Sequence, residues 1–224
     1  MEGQARVVIV LTGGEPVDAA IAPVLPAGAH VVAADSGLDQ AVRLGLRVDL
    51  AVGDFDSVSP QTLALAVAGG ARVDRHPVAK DHTDLELGLL AARSLGAEHV
   101  VVVGGHGGRL DHLLANALVL AGPALAGVAV EAWMGPARLY VARPNRPVVL
   151  EGWAGELVTL LALGGPARRV QTDGLRYPLA DEDLHPGSTR GVSNEMLGAV
   201  AEVTLGEGVL LVIRPTASLP PAPS

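Results

Sequence analysis

Asp49-Leu50-Ala51-Val52-Gly53-Asp54-Phe55-Asp56-Ser57 is a short apolar run that stops at a glycine and is followed at once by two aspartates one residue apart. The apolar part reads as a strand, and the polar part as the loop that leaves its carboxyl end. Outward from it the same pattern repeats. Short β-branched runs predict strands over Arg6 to Leu11, His30 to Ala34, Asp49 to Gly53, Arg72 to Arg75, His99 to Val103 and Val128 to Trp133. Helical patterns near Asp18 to Leu25, Leu38 to Leu44, Ser59 to Ala68, Thr83 to Leu95 and Arg109 to Ala121 lie between them. Alternation of this kind is the signature of βαβ units, so residues 1–136 predict an α/β domain around a mostly parallel sheet. The Thr83 helix opens on a capping box, with Glu86 three residues after the threonine.

Beyond Pro136 the helical period fades, and short alternating strands separated by Gly and Pro predict a smaller all-β domain over 137–214. Its clearest expected element is a hairpin: Val200 to Leu205, a Gly206-Glu207-Gly208 turn, then Val209 to Ile213. Residues Pro215 to Ser224, rich in Pro, Ala and Ser, are expected to be disordered. Hydrophobic residues make up 49% of the chain and charged ones 18%, which is a globular balance. No apolar run approaches the roughly 20 residues that span a bilayer. Met1 to Arg6 leads directly into Val7 to Leu11, with no basic segment ahead of a cleavable apolar stretch, so a cytoplasmic protein is expected. With no cysteine, disulfides and thiolate metal sites are excluded, and any metal must be held by oxygen or imidazole. A net charge of −8 argues against nucleic acid as a general partner, because a phosphate backbone needs a basic footprint.

Ligands of an open parallel sheet bind beyond the carboxyl ends of its strands, so the polar residues just after each strand carry the chemistry. On an extended strand end, Asp54 and Asp56 point the same way, and like charges that close require a cation. With Asp84, and with Asp35 as a further neighbour, they make an all-oxygen site suited to Mg²⁺. An isolated Asp-x-Asp also serves as a loop cap, so the pair gains meaning only from its company. Part of that company is Lys80-Asp81-His82-Thr83-Asp84, which holds the chain's only lysine; arginine fills the other fifteen basic positions. At a phosphate the two differ, lysine acting as a mobile point charge and arginine as a rigid fork.

The run Gly104 to Gly108 places four glycines and one histidine between a strand and a helix. Backbone amides and the positive end of the helix are then open to phosphate oxygens, although a flexible turn would look the same. It is neither a Walker A loop nor the dinucleotide fingerprint. Arg109 is placed to clamp a phosphate, and Asp111 to orient Arg109 or a nucleotide hydroxyl. His112 and Asn116, one turn apart, share a helix face and could equally be packing residues. His30, His76, His99 and His185 lack metal-ligand spacing and read as structural.

Taken in order, Ala34-Asp35-Ser36-Gly37, Asp49 to Ser57, Lys80 to Asp84 and Gly104 to His112 resemble the thiamine pyrophosphokinase family. The resemblance continues through Gly174-Leu175-Arg176-Tyr177-Pro178-Leu179 and Gly191-Val192-Ser193-Asn194-Glu195. It implies an α/β nucleotide-binding domain with a mostly parallel sheet (1–136), followed by a smaller all-β sandwich domain (137–214) that helps build a thiamine site between the subunits of a homodimer. The implied activity is Mg²⁺-dependent transfer of a diphosphoryl group from ATP to the hydroxyl of thiamine, giving thiamine diphosphate and AMP. Carried over by position, Asp54, Asp56 and Asp84 look like the Mg²⁺ cluster, with Asp35 close to triphosphate and metal. Lys80, Thr83, Arg109 and the backbone of Gly105, Gly107 and Gly108 look like ATP-phosphate contacts, joined by Asp111, His112 and Asn116. Ser193 and Asn194 look like thiamine contacts. Ser36 stands where the family often has glycine, which leaves its role at the nucleotide open. Asp81 or Asp35 could take the proton of the thiamine hydroxyl. Trp133 and Trp153 are open to ring contacts, with core packing the expected role of each. Two further readings stay open: the same transfer to another alcohol such as a hydroxymethylpterin, and a nucleotide- or metal-binding module without turnover.

Overall fold

The computed structural model describes residues 6–78 and 81–216, so Lys80 and the tail beyond Thr216 lie outside the described residues. The chain divides into two units between Gly135 and Pro136. Strands of the first unit are β1 (Val7–Leu11), β2 (His30–Ala34), β3 (Leu50–Gly53), β4 (Arg72–Arg75), β5 (His99–Val103) and β6 (Ala129–Met134). They stand in the order β4-β3-β2-β1-β5-β6, and every neighbouring pair is parallel. β1, β2 and β5 bury every residue except their first, as strands covered on both faces must.

The helices of this unit are α1 (Gly37–Leu44), α2 (Pro60–Ala68), α3 (Asp84–Ser94) and α4 (Leu110–Val119). α3 crosses β1, β2 and β3 and buries Leu85, Leu87 and Leu89. It starts where Thr83 Oγ1 accepts the backbone N–H of Glu86 at 3.3 Å, and Asp84 and Glu86 in the first turn complement the helix dipole. The reciprocal half of the expected capping box is not made among the described residues, because the Glu86 carboxylate meets His82 Nδ1 at 3.3 Å. The helix expected over Asp18 to Leu25 is a 3-10 segment, Ala19–Val24, interrupted by Pro23 and capped by the Asp18 carboxylate on the Ala20 N–H. No helix among the described residues is long and apolar enough to cross a membrane.

The second unit contains β7 (Ala137–Ala142), β8 (Val148–Glu151), β9 (Leu157–Ala162), β10 (Ala167–Asp173), β11 (Ala180–Leu184), β12 (Asn194–Glu195), β13 (Val200–Thr204) and β14 (Leu210–Arg214). Two antiparallel arrays form, β12-β9-β14-β7 and β11-β10-β13-β8, and their apolar residues share one core that includes Leu150, Leu160, Val170, Met196 and Leu210. Burial alternates residue by residue along β8 and β9, which puts one face of each strand into that core.

The hairpin expected over Val200 to Ile213 does not form. β13 pairs with β8 and β10, while β14 pairs with β7 and β9, so the two strands lie in different arrays. Each strand thereby gains a partner on both edges, which a lone hairpin would not supply. The Gly206-Glu207-Gly208 segment is a corner between arrays, bridged to β10 through Arg168 and Glu207. A second correction concerns the tryptophans. Trp133 is buried on β6, but Trp153 is 48% exposed and is not a core residue.

Candidate active site

In the first unit the strand order reverses at β1: the chain proceeds outward through β2, β3 and β4, then resumes on the other side with β5 and β6. Loops leaving β1 and β5 therefore diverge and open a crevice at the carboxyl ends of the strands. A cleft of about 710 Å³ occupies that place. Thr12 to Pro16 line it from the end of β1, Asp35 and Ser36 from β2, Thr83 and Asp84 from the start of α3, and Gly105 to Arg109 from the end of β5. His112 and Asn116 of α4 complete the wall.

Carboxylates gather at one end. One oxygen each from Asp35, Asp54 and Asp56 lies within 4.8 Å of the others, a group that could hold a metal ion. The third member of the tight group is thus Asp35 rather than Asp84. Asp84 stands beside it at the head of α3, with Oδ1 3.2 Å from where a Cβ on Gly53 would lie. Asp35 has a positive φ of 46°, and this turn directs its side chain into the cluster instead of along the strand. It is buried, and Oδ1 has no hydrogen-bond partner. Burial pushes its pKa upward; the Ser36 backbone N–H opposes this, and the charges of Asp84, Asp54 and Asp56 add to the rise. A buried carboxylate oxygen with no donor, beside two further carboxylates, suits a hard divalent cation. The loop carrying Asp54 is fastened by Arg75, whose Nη1 donates to the Asp54 carbonyl at 3.0 Å while its guanidinium lies 5.0 Å from the Phe55 ring centroid. Asp56 accepts from Ser57 Oγ at 2.9 Å.

The other end is built from backbone. Gly104, Gly105, Gly107 and Gly108 all have φ between 54° and 117°, a region that residues with side chains rarely enter. Buried Asn116 holds this loop, its Nδ2 donating to the Gly105 carbonyl at 3.1 Å. Asn116 is therefore a loop clamp as well as a wall residue. Arg109 is exposed and donates through Nε and Nη2 to the two oxygens of Asp111 at 3.2 and 2.5 Å. That pairing depresses the Asp111 pKa to about 2. Asp111 is paired with Arg109 and does not line the cleft among the described residues. Ser36 Oγ occupies the space a side chain at Gly13 would need, so its hydroxyl narrows the cleft at the β1 loop.

Asp81 is exposed and lies outside the cleft lining. In the second unit, Asn194 is buried with its amide committed: Oδ1 accepts from the N–H groups of Tyr177 and Glu195, and Nδ2 donates to the Tyr177 carbonyl at 2.7 Å. Ser193 is exposed at φ 57°, anchored through its N–H to Thr159 Oγ1. Of the four histidines expected to be structural, His30, His76 and His99 stand within 4 Å of a carboxylate, on Asp49, Asp74 and Glu131; His185 is not among these pairs. Sequence reasoning missed Glu15, Arg75 and His106. Glu15 and His106 lie in the loops that leave β1 and β5, a few residues past each strand end, and that position was the signal available.

Two family models match the chain: the thiamin pyrophosphokinase catalytic domain over residues 24–130 and the thiamin pyrophosphokinase vitamin B1 binding domain over residues 147–210. Thiamine pyrophosphokinase of Bacillus subtilis (strain 168) is 23% identical over 185 residues, covering 83% of this chain and 86% of its own. The crystal structure of the B. subtilis thiamine pyrophosphokinase superposes with a TM-score of 0.81 at 22% identity, over 96% of this chain and all of that one. A thiamin pyrophosphokinase family protein from Enterococcus faecalis gives 0.75 at 26% identity, again over 96% of this chain and all of the other. With both domain models matched in sequence order, the chain belongs to the thiamine pyrophosphokinase family.

Proposed function

We propose that the cleft of the first unit binds ATP with Mg²⁺ and that the chain transfers a diphosphoryl group from ATP to the hydroxyl of thiamine, releasing AMP. The observation that carries this reading is the buried, donorless Oδ1 of Asp35 beside Asp54 and Asp56, at one end of a glycine-rich cleft. Asp35, Asp54 and Asp56 would hold the cation, with Asp84 next to them. Bound there, the ion supplies positive charge to phosphate oxygens and lowers the cost of the charge that develops on them.

What remains for the protein is placement and charge. The thiamine oxygen attacks the β-phosphorus, and the bond from that phosphorus to the oxygen of the departing AMP breaks. The N–H groups of Gly107 and Gly108, with the N-terminus of α4 behind them, would face the phosphate oxygens, while those of Gly104 and Gly105 are taken by the Trp133 and Gly13 carbonyls. Arg109 supplies a planar cation at the cleft wall, and Lys80 belongs to the same proposal as the mobile one. The hydroxyl proton passes to a carboxylate, and of Asp35 and Asp81 only Asp35 lines the cleft. Ser193 is offered to thiamine, while Asn194 shapes the segment that presents it. The homodimer implied by the resemblance belongs to this reading too, and light scattering of the purified chain tests it.

The decisive experiment incubates the protein with ATP, thiamine and Mg²⁺ and identifies both products by mass. Thiamine diphosphate and AMP in equal amounts, lost in EDTA, are expected. AMP formed with a hydroxymethylpterin but not with thiamine would replace the acceptor, and ATP binding without AMP would remove the enzyme.

A further inference from the structure

Of the five residues Gly104 to Gly108, only His106 carries a side chain. Glycine loses more conformational freedom on ordering than any other residue, so a five-residue segment with four of them is costly to fix. Something must fix its shape before a ligand arrives. Two backbone bonds tie it to the loop after β1: Gly105 N–H donates to the Gly13 carbonyl, and Glu15 N–H donates to the His106 carbonyl, both at 2.7 Å. The His106 ring adds contacts on two further sides. Its Nδ1 lies 3.6 Å from Oε2 of Glu15, and the ring lies flat enough on Gly135 that a Cβ there would come within 2.7 to 2.9 Å of its Cγ, Nδ1 and Cδ2 atoms.

We propose that His106 is a positioning residue, which sets the glycine-rich loop in its nucleotide-binding shape by being held between Glu15 and the backbone of Gly135. The inference rests on the cleft being the ATP site. Both partners come from loops at strand ends, Glu15 after β1 and Gly135 after β6, so one ring ties the exits of β1, β5 and β6 together. Glu15 and His106 are both partly exposed, and a screened pair of this kind contributes little to global stability. Its effect is on the loop alone, where small displacements of donors weaken phosphate binding steeply.

The test uses the full chain and three variants: H106A, H106Q and G135A. Binding of a non-hydrolysable ATP analogue in Mg²⁺ is measured by calorimetry, alongside steady-state KM for ATP and for thiamine. H106A is expected to raise the analogue Kd and the ATP KM about tenfold while leaving the thiamine KM and the melting temperature near those of the parent. G135A, whose methyl group displaces the ring, reproduces that pattern with His106 intact. H106Q, which keeps a donor toward Glu15, recovers part of the loss. Parental analogue binding in both H106A and G135A overturns the proposal, as does a loss that falls equally on ATP and thiamine. Should H106A fail to fold, the other two variants decide alone. A parent chain that does not bind the analogue at all would instead sink the nucleotide assignment of the cleft, and that outcome is read from the parent before any variant.

Discussion

Gly53 and Asp84 meet at the acidic end of the cleft: a side chain on Gly53 would place its Cβ 3.2 Å from Asp84 Oδ1 and 3.2 Å from Asp35 Cβ. The end of β3 thus comes so close to the head of α3 that only a glycine leaves the carboxylates their present spacing. Gly53 also has φ 143°, which strains any L-residue. Gly53→Ala is expected to cost about 1–3 kcal/mol of stability and to shift the Mg²⁺ concentration for half-maximal AMP formation upward about tenfold. A magnesium titration of parent and variant checks it, and superimposable titrations would show that the spacing is immaterial.

Asp35 predicts an unusual dependence on pH. Its folded pKa is raised above the ordinary value of 3.8, first by burial and then by the neighbouring carboxylates. The metal-free folded chain therefore binds this proton more tightly than the unfolded chain does. Its contribution to stability is present at low pH and lost as pH rises from the ordinary carboxylate value through the raised one, the reverse of an ion-paired aspartate. In EDTA at neutral pH, Asp35→Asn is expected to melt above the parent. With Mg²⁺ the order inverts, because the parent gains ligand binding that the variant lacks. Activity of the variant should fall by about a hundredfold or more. Melting curves at several pH values, with and without Mg²⁺, carry the test, and a variant less stable in EDTA would contradict the cost assigned to burying this carboxylate among like charges.

Arg109 and Asp111 behave oppositely. The Asp111 pKa is held near 2 by the Arg109 guanidinium, so its contribution is present above the unfolded carboxylate value and is lost only as pH falls toward 2. Over any ordinary assay range the pair does not titrate. Asp111→Asn is expected to raise the ATP KM a few-fold by the same factor from about pH 6 to pH 9, whereas Arg109→Ala lowers kcat/KM for ATP about a hundredfold. The pH–rate profiles decide. A variant effect that appears only on one limb of the profile would mean that Asp111 acts as an acid or base.

How much of this was legible in the sequence follows the range of each interaction. The β3 run and the gathering of Asp54 with Asp56 were legible because strand period and carboxylate repulsion are local facts, but the reason expected for that gathering was wrong. The strand stops at Gly53, Phe55 takes a left-handed φ of 61°, and a turn in which Asp54 Oδ1 accepts the Asp56 N–H replaces the extended strand end. That Asp35 joins Asp54 and Asp56 more tightly than Asp84 does was not legible, since it depends on the left-handed backbone at Asp35, which spacing does not encode. The same applies to Glu15 and His106, whose meeting requires β1 and β5 to be neighbours. The Val200 to Ile213 hairpin failed for a related reason. Its Gly-Glu-Gly turn is a local signal, but β13 and β14 choose partners by where their apolar residues reach the core.

The second unit offers a prediction about stability alone. Arg214 at the end of β14 and Glu156 ahead of β9 are both almost fully buried, and Arg214 donates through Nε and Nη2 to Oε1 of Glu156 at 2.7 and 2.5 Å. The other carboxylate oxygen, Oε2, has no partner. A buried pair with one oxygen unsatisfied returns little net stability, yet removing either member strands a charge in the core. Arg214→Met or Glu156→Leu should each cost about 3–5 kcal/mol, while the double change Glu156→Leu with Arg214→Met should recover most of that loss. Urea unfolding of the three variants measures the coupling directly. Because neither residue belongs to the ATP cleft, the double variant keeps the parental KM for ATP; a changed KM would mean that the pair supports the site and not merely the core around it.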